Sequence, residues 1–101
     1  MEQLLRDHPD LDGVFIASDL MASGALPVLR DYGRRIPDDV AVVGFDDLPI
    51  ARNTDPPLTT VHQPVQGLGQ EMAKMLIALI AGERPHPLLL PTHLVRRESA
   101  P

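Results

Sequence analysis

The sequence of 101 residues contains no cysteine and no tryptophan, and it has only two phenylalanines and one tyrosine. Without cysteine there are no disulfides, no thiolate metal sites and no cysteine nucleophiles. Its longest apolar run, residues 88–90, is far too short to cross a bilayer. No basic segment followed by an apolar one comes after Met1, as a secretory signal requires. We therefore expect a cytoplasmic protein that makes no membrane contact.

Positive charge is also scarce, since nine Lys and Arg residues stand against fourteen Asp and Glu, giving a net charge of −5. Nucleic-acid affinity comes largely from Lys and Arg side chains that neutralise phosphates, so this chain by itself is a poor nucleic-acid binder. The adjacent basic pairs, Arg34 with Arg35 and Arg96 with Arg97, are interpreted as solvated ends of a helix and a strand. The length suffices for one core, so we expect one soluble domain or part of one.

Short apolar runs alternate with segments of helical periodicity. The run at residues 14–17 predicts a strand buried on both faces, and the run at 40–45 predicts a second buried strand. Residues 58–61 and 88–95 predict a third and a final strand. Before the first run the sequence predicts a short helix that ends at Pro9. Between the runs it predicts a helix from Asp19 to Gly33, a turn or short helix over 48–53, and a long helix over 64–81. The long helix carries two apolar stripes, typical of a helix buried over much of its circumference. The order predicts an α/β fold with a parallel sheet flanked by helices.

Polar residues follow each of the first three predicted strands. The carboxyl ends of parallel strands form the usual ligand surface of α/β folds. The residues that meet there are Ser18 and Asp19, Asp46 and Asp47, and His62 and Gln63. An ionised carboxylate only accepts hydrogen bonds, so it suits neighbouring sugar hydroxyls or the N–H groups of a base. We expect a small-molecule site at this edge, with Asp46 as its main candidate.

Two of these carboxylates have a simpler interpretation as helix caps. Asp47 is favoured as the cap of the short helix near Pro49, and Asp19 as the N-cap of the helix that follows it. A ligand contact stays open as the alternative for both.

Other chemistries have little support in the sequence. A receiver domain needs an early acidic pair and a lysine after a later strand, whereas here the pair is central and Lys74 lies in the long helix. Gly67 and Gly69 imitate a dinucleotide fingerprint but do not turn directly off a strand. No serine lies in a nucleophile elbow, and no metal-binding spacing links the four histidines, His8, His62, His86 and His93. We interpret these as isolated surface histidines, and we expect a binding domain that is not an enzyme and that has no metal and no cofactor.

Four motifs in order along the chain resemble the lactose-repressor/galactose-repressor (LacI/GalR) family of bacterial transcription regulators. They are GVFIASDLMASGAL at residues 13–26, IPDDVAVVGFDDLP at 36–49, PPLTTVHQP at 56–64 and LPTHLVRRES at 90–99. Together they cover nearly the whole chain with the family's spacing.

This resemblance implies the C-terminal part of an effector-binding domain with a partial periplasmic-binding-protein-like type I fold. Residues 1–63 would belong to the C-terminal lobe, with its ligand and dimer surfaces. Residues 64–101 would provide a hinge crossing and a helix and strand that pack on the N-terminal lobe. The helix-turn-helix headpiece that binds operator DNA is absent from the sequence. The implied partners are a sugar or nucleobase effector, a second copy of the chain and, only through the missing headpiece, operator DNA.

The resemblance also carries residue roles. Asp46 matches the family's ligand-binding aspartate, and Ser18 stands where the motif usually has asparagine. Phe45 and Gln63 fall near the cleft and hinge, and Asp19 is a further ligand candidate. The expected dimer surface consists of Leu20, Met21, Ser23, Ile50 and Ala51, with a core position as the alternative for Met21. Alternatives for the whole chain are a periplasmic sugar-binding protein of an ABC transporter and a truncated fragment with no independent activity.

Overall fold

The computed structural model describes all 101 residues, and every predicted element is present. In chain order the elements are α1 (Glu2–Asp7), β1 (Gly13–Phe15), α2 (Asp19–Asp31), β2 (Ala41–Asp46), a 3₁₀ helix (Pro49–Arg52), β3 (Thr59–His62), α3 (Val65–Ile80) and β4 (His93–Val95). The predicted final strand over 88–95 is much shorter than expected, because only its last residues pair with the sheet. No helix has both the length and the apolar character needed to span a membrane.

The four strands form one sheet in the order β1-β2-β3-β4. The pairs β1/β2 and β2/β3 are parallel as predicted, but β4 runs antiparallel to β3, so the expectation of a wholly parallel sheet is wrong at this edge. His93, the first residue of β4, lies opposite His62, the last residue of β3. The connection through α3 therefore returns to the end of β3 from which it left, and this dictates an antiparallel pair.

The core lies between α2 and one face of the sheet. It consists of Leu5, Ile16, Ala22, Ala25, Leu26, Leu29, Val40, Val42, Ala51 and Leu58. The four members from α2 recur at the helical spacing that places them on one face. Phe15 is 63% exposed, so the prediction that the first strand is buried on both faces is wrong.

Gly44 in the middle of β2 allows α2 to approach the sheet closely. A Cβ atom at this position would lie 2.4 Å from Asp19 Oδ1 and 2.8 Å from Leu58 Cδ2. Neither gap accommodates a carbon atom. The absence of a side chain at residue 44 therefore sets how closely the start of α2 sits over β2 and β3.

A segment after β4, residues 97–100, joins β2 to β3, and we call it the clamp. Ser99 is fully buried; its Oγ accepts the Thr59 backbone N–H at 2.8 Å and donates to the Val42 carbonyl at 2.6 Å. The Val42 N–H donates in turn to the Ser99 carbonyl at 3.0 Å. The backbone of Arg97 donates to the Thr59 hydroxyl oxygen at 2.7 Å. The clamp thus ties together two strands that lie about forty and sixty residues earlier in the chain.

α3 differs from the other helices because none of its residues is buried. Its exposed apolar side chains include Met72, Leu76, Ile77, Leu79 and Ile80. The burial that its two apolar stripes predict is therefore not provided by the rest of this chain.

Candidate functional site

Asp46 and Gln63 meet at the carboxyl edge of β2 and β3. The Gln63 Nε2 amide donates to Asp46 Oδ1 at 3.0 Å, while the other carboxylate oxygen, Oδ2, has no hydrogen-bond partner within the chain. Asp46 has a φ of 109° and Asp47 a φ of 60°, both in the left-handed region that non-glycine residues rarely adopt. Such backbone strain is concentrated at functional sites. Because of this turn, the carboxylates of Asp46 and Asp47 contact different partners.

An aromatic pair lies beside this carboxylate. Phe45 is half-buried and meets Phe15 edge to face, with ring centroids 6.4 Å apart and an interplanar angle of 83°. Both residues come from the carboxyl-terminal ends of their strands, so they provide an apolar surface at the edge that carries Asp46. Sequence reasoning proposed Phe45 but missed Phe15, whose only signal was an aromatic residue at the end of the first apolar run.

Ser18, and not Asp19, is the N-cap of α2. Ser18 has extended backbone angles, and its Oγ accepts the Met21 N–H at 3.2 Å. Asp19 is already the first helical residue, so the prediction that it caps the helix is wrong. The Ser18 oxygen accepts the capping bond, which leaves its hydroxyl proton available to a ligand. Ser18 is half-buried at the end of β1, on the same edge as Asp46.

Asp19 is buried below the site and supports it through hydrogen bonds. It has no exposed surface, and its carboxylate accepts the Thr60 hydroxyl at 2.5 Å and the Leu48 backbone N–H at 2.8 Å. It therefore joins the start of α2 to β3 and to the loop after β2. Because the structure leaves it no surface at the edge, we do not include Asp19 in the proposed ligand site.

Asp47 forms a hydrogen-bond network with Arg97 and His62. Its Oδ1 lies 2.8 Å from an Arg97 guanidinium nitrogen, and its Oδ2 lies 2.9 Å from His62 Nδ1. Burial disfavours the charged carboxylate, but the hydrogen bonds from Arg97 and His62 outweigh burial and hold the pKa of Asp47 below its ordinary value. The 3₁₀ helix has no side-chain cap, so the prediction that Asp47 caps it is wrong.

Two further sequence expectations fail around this network. The Arg97 side chain is only 14% exposed and also donates to the Leu58 carbonyl at 3.0 Å, so it is not a solvated strand end. His62 is not an isolated surface histidine, because its ring packs against the His93 ring at a centroid distance of 4.8 Å. Both contacts join residues more than thirty positions apart, which no local spacing in the sequence reveals.

The residues expected at a dimer surface separate into three groups. Leu20 and Met21 are largely exposed on α2, which removes the alternative of a core position for Met21. Ser23 and Ile50 are half-buried. Ala51 has no exposed surface and packs into the core from the 3₁₀ helix, so its predicted place at an interface is wrong.

The main surface depressions of the chain meet the strand-end site only at Gln63 and do not include Asp46 or Ser18. One of about 190 Å³ includes Gln63 and continues to Leu68 and the segment around residues 88–92. Another of about 400 Å³ lies at the end of α2, where Arg35 is bound to Asp39 and Arg30 to Asp55. Enclosed ligand sites usually measure 300–1,000 Å³. The edge at Asp46 is therefore an open surface that another element would have to cover to form a pocket.

Comparisons with known proteins agree with this geometry. A family model described as a periplasmic binding protein-like domain matches residues 1–100. The HTH-type transcriptional regulator CelR of Thermobifida fusca is 54% identical over 101 residues, which are 98% of this chain and 30% of that protein. The ribose operon repressor of Halalkalibacterium halodurans is 42% identical over 99 residues, 95% of this chain and 30% of that repressor.

Solved structures show the same relationship. A transcriptional regulator CelR–cellobiose complex superposes with a TM-score of 0.90 and 52% identity, covering 98% of this chain and 31% of that one. The lac repressor dimer bound to operator and the anti-inducer ONPF gives a TM-score of 0.86 at 34% identity, covering 97% and 35%. The chain thus spans about a third of the length of the proteins it matches.

Proposed function

This chain belongs to the periplasmic binding protein-like domain family, and we propose that it is part of the effector-binding and dimerisation region of a LacI-family transcription regulator. The observation that carries the proposal is the free Asp46 Oδ2 beside Gln63, at an edge where two parallel strands end. The effector would bind at this edge. Operator DNA would be bound by a headpiece outside these residues, in the cytoplasm.

A sugar is the effector that suits these groups best. The free Asp46 oxygen would accept a hydrogen bond from one hydroxyl, and the Gln63 amide oxygen, an acceptor on the neighbouring side chain, would accept from another. Ser18 offers a hydroxyl donor, and the Phe15–Phe45 pair offers an apolar surface. A relative 52% identical to this chain has been solved with cellobiose. A disaccharide of glucose is therefore the first effector to test, and a nucleobase is the alternative.

The open site and the exposed helix support different roles for two segments of the chain. Residues 1–63 would form part of one lobe, with the effector and dimer surfaces. Residues 64–101 would cross the hinge and place α3 against a second lobe, which would cover its exposed apolar side chains and close the site. The surfaces of Leu20, Met21, Ser23 and Ile50 would meet a second copy.

Control of operator binding would follow from linkage. An effector that binds between two lobes stabilises one relative orientation of them, and the dimer transmits that orientation to the headpieces. Linkage of this kind typically changes the second affinity 5- to 150-fold. The site needs no bond-making group for this task, so we propose a regulatory and not a catalytic role.

The test is operator binding by the full-length protein that contains this chain, followed by fluorescence anisotropy with and without cellobiose. We expect cellobiose to change the operator affinity by about tenfold. Asp46→Asn should raise the cellobiose concentration needed by at least about tenfold, because the free carboxylate oxygen is replaced by an amide. Asp38→Asn, at an exposed carboxylate away from the edge, is the matched control and should change nothing.

Three results would contradict the proposal. Operator affinity that is indifferent to every sugar and nucleobase would remove the effector role. An unchanged response in Asp46→Asn would remove the assigned site. Tight sugar binding without any DNA binding would favour a transport binding protein.

A further inference from the structure

His62 and His93 face each other across the β3–β4 pair. They are directly opposed in the antiparallel register, and their rings lie 4.8 Å apart at an angle of 33°. Directly opposed residues bring their Cβ atoms within about 4.5–5.5 Å, so both rings leave the sheet on the same face. The sequence spacing gives no hint of this pair, because the two histidines are joined by the register and not by a local motif.

A carboxylate fixes the proton on one of these rings. His62 Nδ1 lies 2.9 Å from Asp47 Oδ2, so the ring donates from Nδ1 and presents the lone pair of Nε2. Histidines that bind metals almost always donate their second ring N–H to a carboxylate, a carbonyl or water in this way. Arg97 is bound to the other oxygen of Asp47 at 2.8 Å and offsets that carboxylate's charge. His62 is thus held in the tautomer of a metal ligand.

The separation of the rings fits a shared ion. Two imidazoles that bind one ion at about 2.0–2.1 Å, with a nitrogen–metal–nitrogen angle between a right angle and a tetrahedral angle, have centroids about 4.5–5.2 Å apart. The observed 4.8 Å lies within this interval. The His62 side chain is 39% exposed and His93 is exposed, so an ion can reach both rings from solvent.

We propose that His62 Nε2 and one ring nitrogen of His93 bind a single late first-row transition-metal ion such as Zn²⁺. No group of three or more His, Asp and Glu side chains converges on one point in this structure. Water completes the coordination, and the site is open to solvent between β3 and β4. Imidazole nitrogen selects such ions over Mg²⁺, which prefers oxygen ligands.

Calorimetric titration of the 101-residue chain with ZnCl₂ at about pH 7.5, where unprotonated imidazoles bind metal, tests this site. We expect one saturable ion per chain and none with MgCl₂. His62→Gln and His93→Gln should each weaken Zn²⁺ binding by at least about tenfold. The matched controls His8→Gln and His86→Gln replace the two other exposed histidines and should leave the affinity unchanged. Circular dichroism verifies that each variant is folded.

A second measurement avoids substitutions altogether. Small additions of Cu²⁺ to the unaltered chain should broaden the ring proton NMR signals of His62 and His93 before those of His8 and His86. Simultaneous broadening of all four histidines would overturn the proposal. So would the lack of saturable heat up to about 1 mM Zn²⁺, or a His62→Gln or His93→Gln variant that binds as tightly as the parent. In those cases the two rings are only packed against each other.

Discussion

At the scale of single residues, the glycine with the least space for a side chain is Gly44. The nearest atoms to a Cβ there belong to the buried Asp19 carboxylate and to Leu58. Asp19 in turn holds the Leu48 backbone immediately after the strained turn at Asp46 and Asp47. A side chain at residue 44 would therefore displace the Asp19 carboxylate that holds the loop after β2.

Gly44→Ala should destabilise the chain by about 1–3 kcal/mol, as expected when a well-packed region is overfilled. The measurement is the free energy of unfolding from urea titration. Gly24→Ala is the control, because its Cβ would meet nothing within 4 Å and it lies inside α2. That variant should be up to about 1 kcal/mol more stable than the parent. Equal effects of the two substitutions would refute the assignment of Gly44 as a packing constraint.

Residues at the site could be predicted where their role follows from their place on a strand. Asp46 is the last residue of β2 and Gln63 directly follows β3, and strand ends on one edge of a parallel sheet must converge. The partners of Asp47 could not be predicted, because Arg97 reaches it from fifty positions away. Ser18 has the capping role that was expected of Asp19, because the cap is whichever of the two adjacent polar residues keeps extended backbone angles.

At the scale of elements, Asp47 links three parts of the fold. It leaves the end of β2, accepts from His62 at the end of β3 and from Arg97 in the clamp. Its folded-state pKa is lower than its ordinary value of 3.8 despite the opposing effect of burial. A carboxyl whose folded pKa is depressed binds its proton more weakly in the folded state, so its charge stabilises that state at neutral pH.

This stabilisation should be present above about pH 3.8 and be lost as the pH falls through the lower folded pKa. Asp47→Asn should cost about 1.5–3 kcal/mol of unfolding free energy near neutral pH, typical of hydrogen bonds to a charged group. The difference from the parent should shrink as the pH drops below 3.8. Urea titrations at a series of pH values measure it, with the exposed Asp10→Asn as the control. A difference that is constant over the acid range would show that charge is not the cause.

The order of helices and strands was predictable because each apolar run and each helical period is local. The direction of β4 was not, since it depends on where the long connection after β3 brings the chain back. The proline-rich segment between α3 and β4 contains no element that would have carried the chain to the far end of the sheet, as a parallel strand requires.

At the scale of the whole molecule, the chain is more extended than a compact domain of its length. Its radius of gyration is 17.5 Å, compared with about 13 Å for a compact domain of 100 residues. The extended shape agrees with α3, which buries none of its residues and leaves leucine and isoleucine side chains in water. Burial of one such side chain contributes about 1.5–3 kcal/mol, so this surface favours any apolar contact available.

The 101-residue chain should therefore self-associate through α3, as sedimentation equilibrium would reveal. Leu76→Glu combined with Ile80→Glu should weaken association by at least about tenfold, because two buried apolar side chains are lost. Gln66→Glu combined with Gln70→Glu adds the same charge at two exposed polar positions of the same helix, removes no apolar side chain and should have little effect. A parent chain that sediments as a clean monomer would contradict the prediction.

The clamp also has a consequence for the order in which a newly made chain gains its structure. When synthesis has reached residue 96, all four strands exist, but the buried Ser99 and the Arg97 that neutralises Asp47 do not. The amide of Thr59 and the carbonyl of Val42 then lack their partner from Ser99. A nascent chain cannot complete these contacts of β2, β3 and Asp47 until translation has passed the clamp, so a stalled product with every strand present would still be recognised as unfinished by proteases.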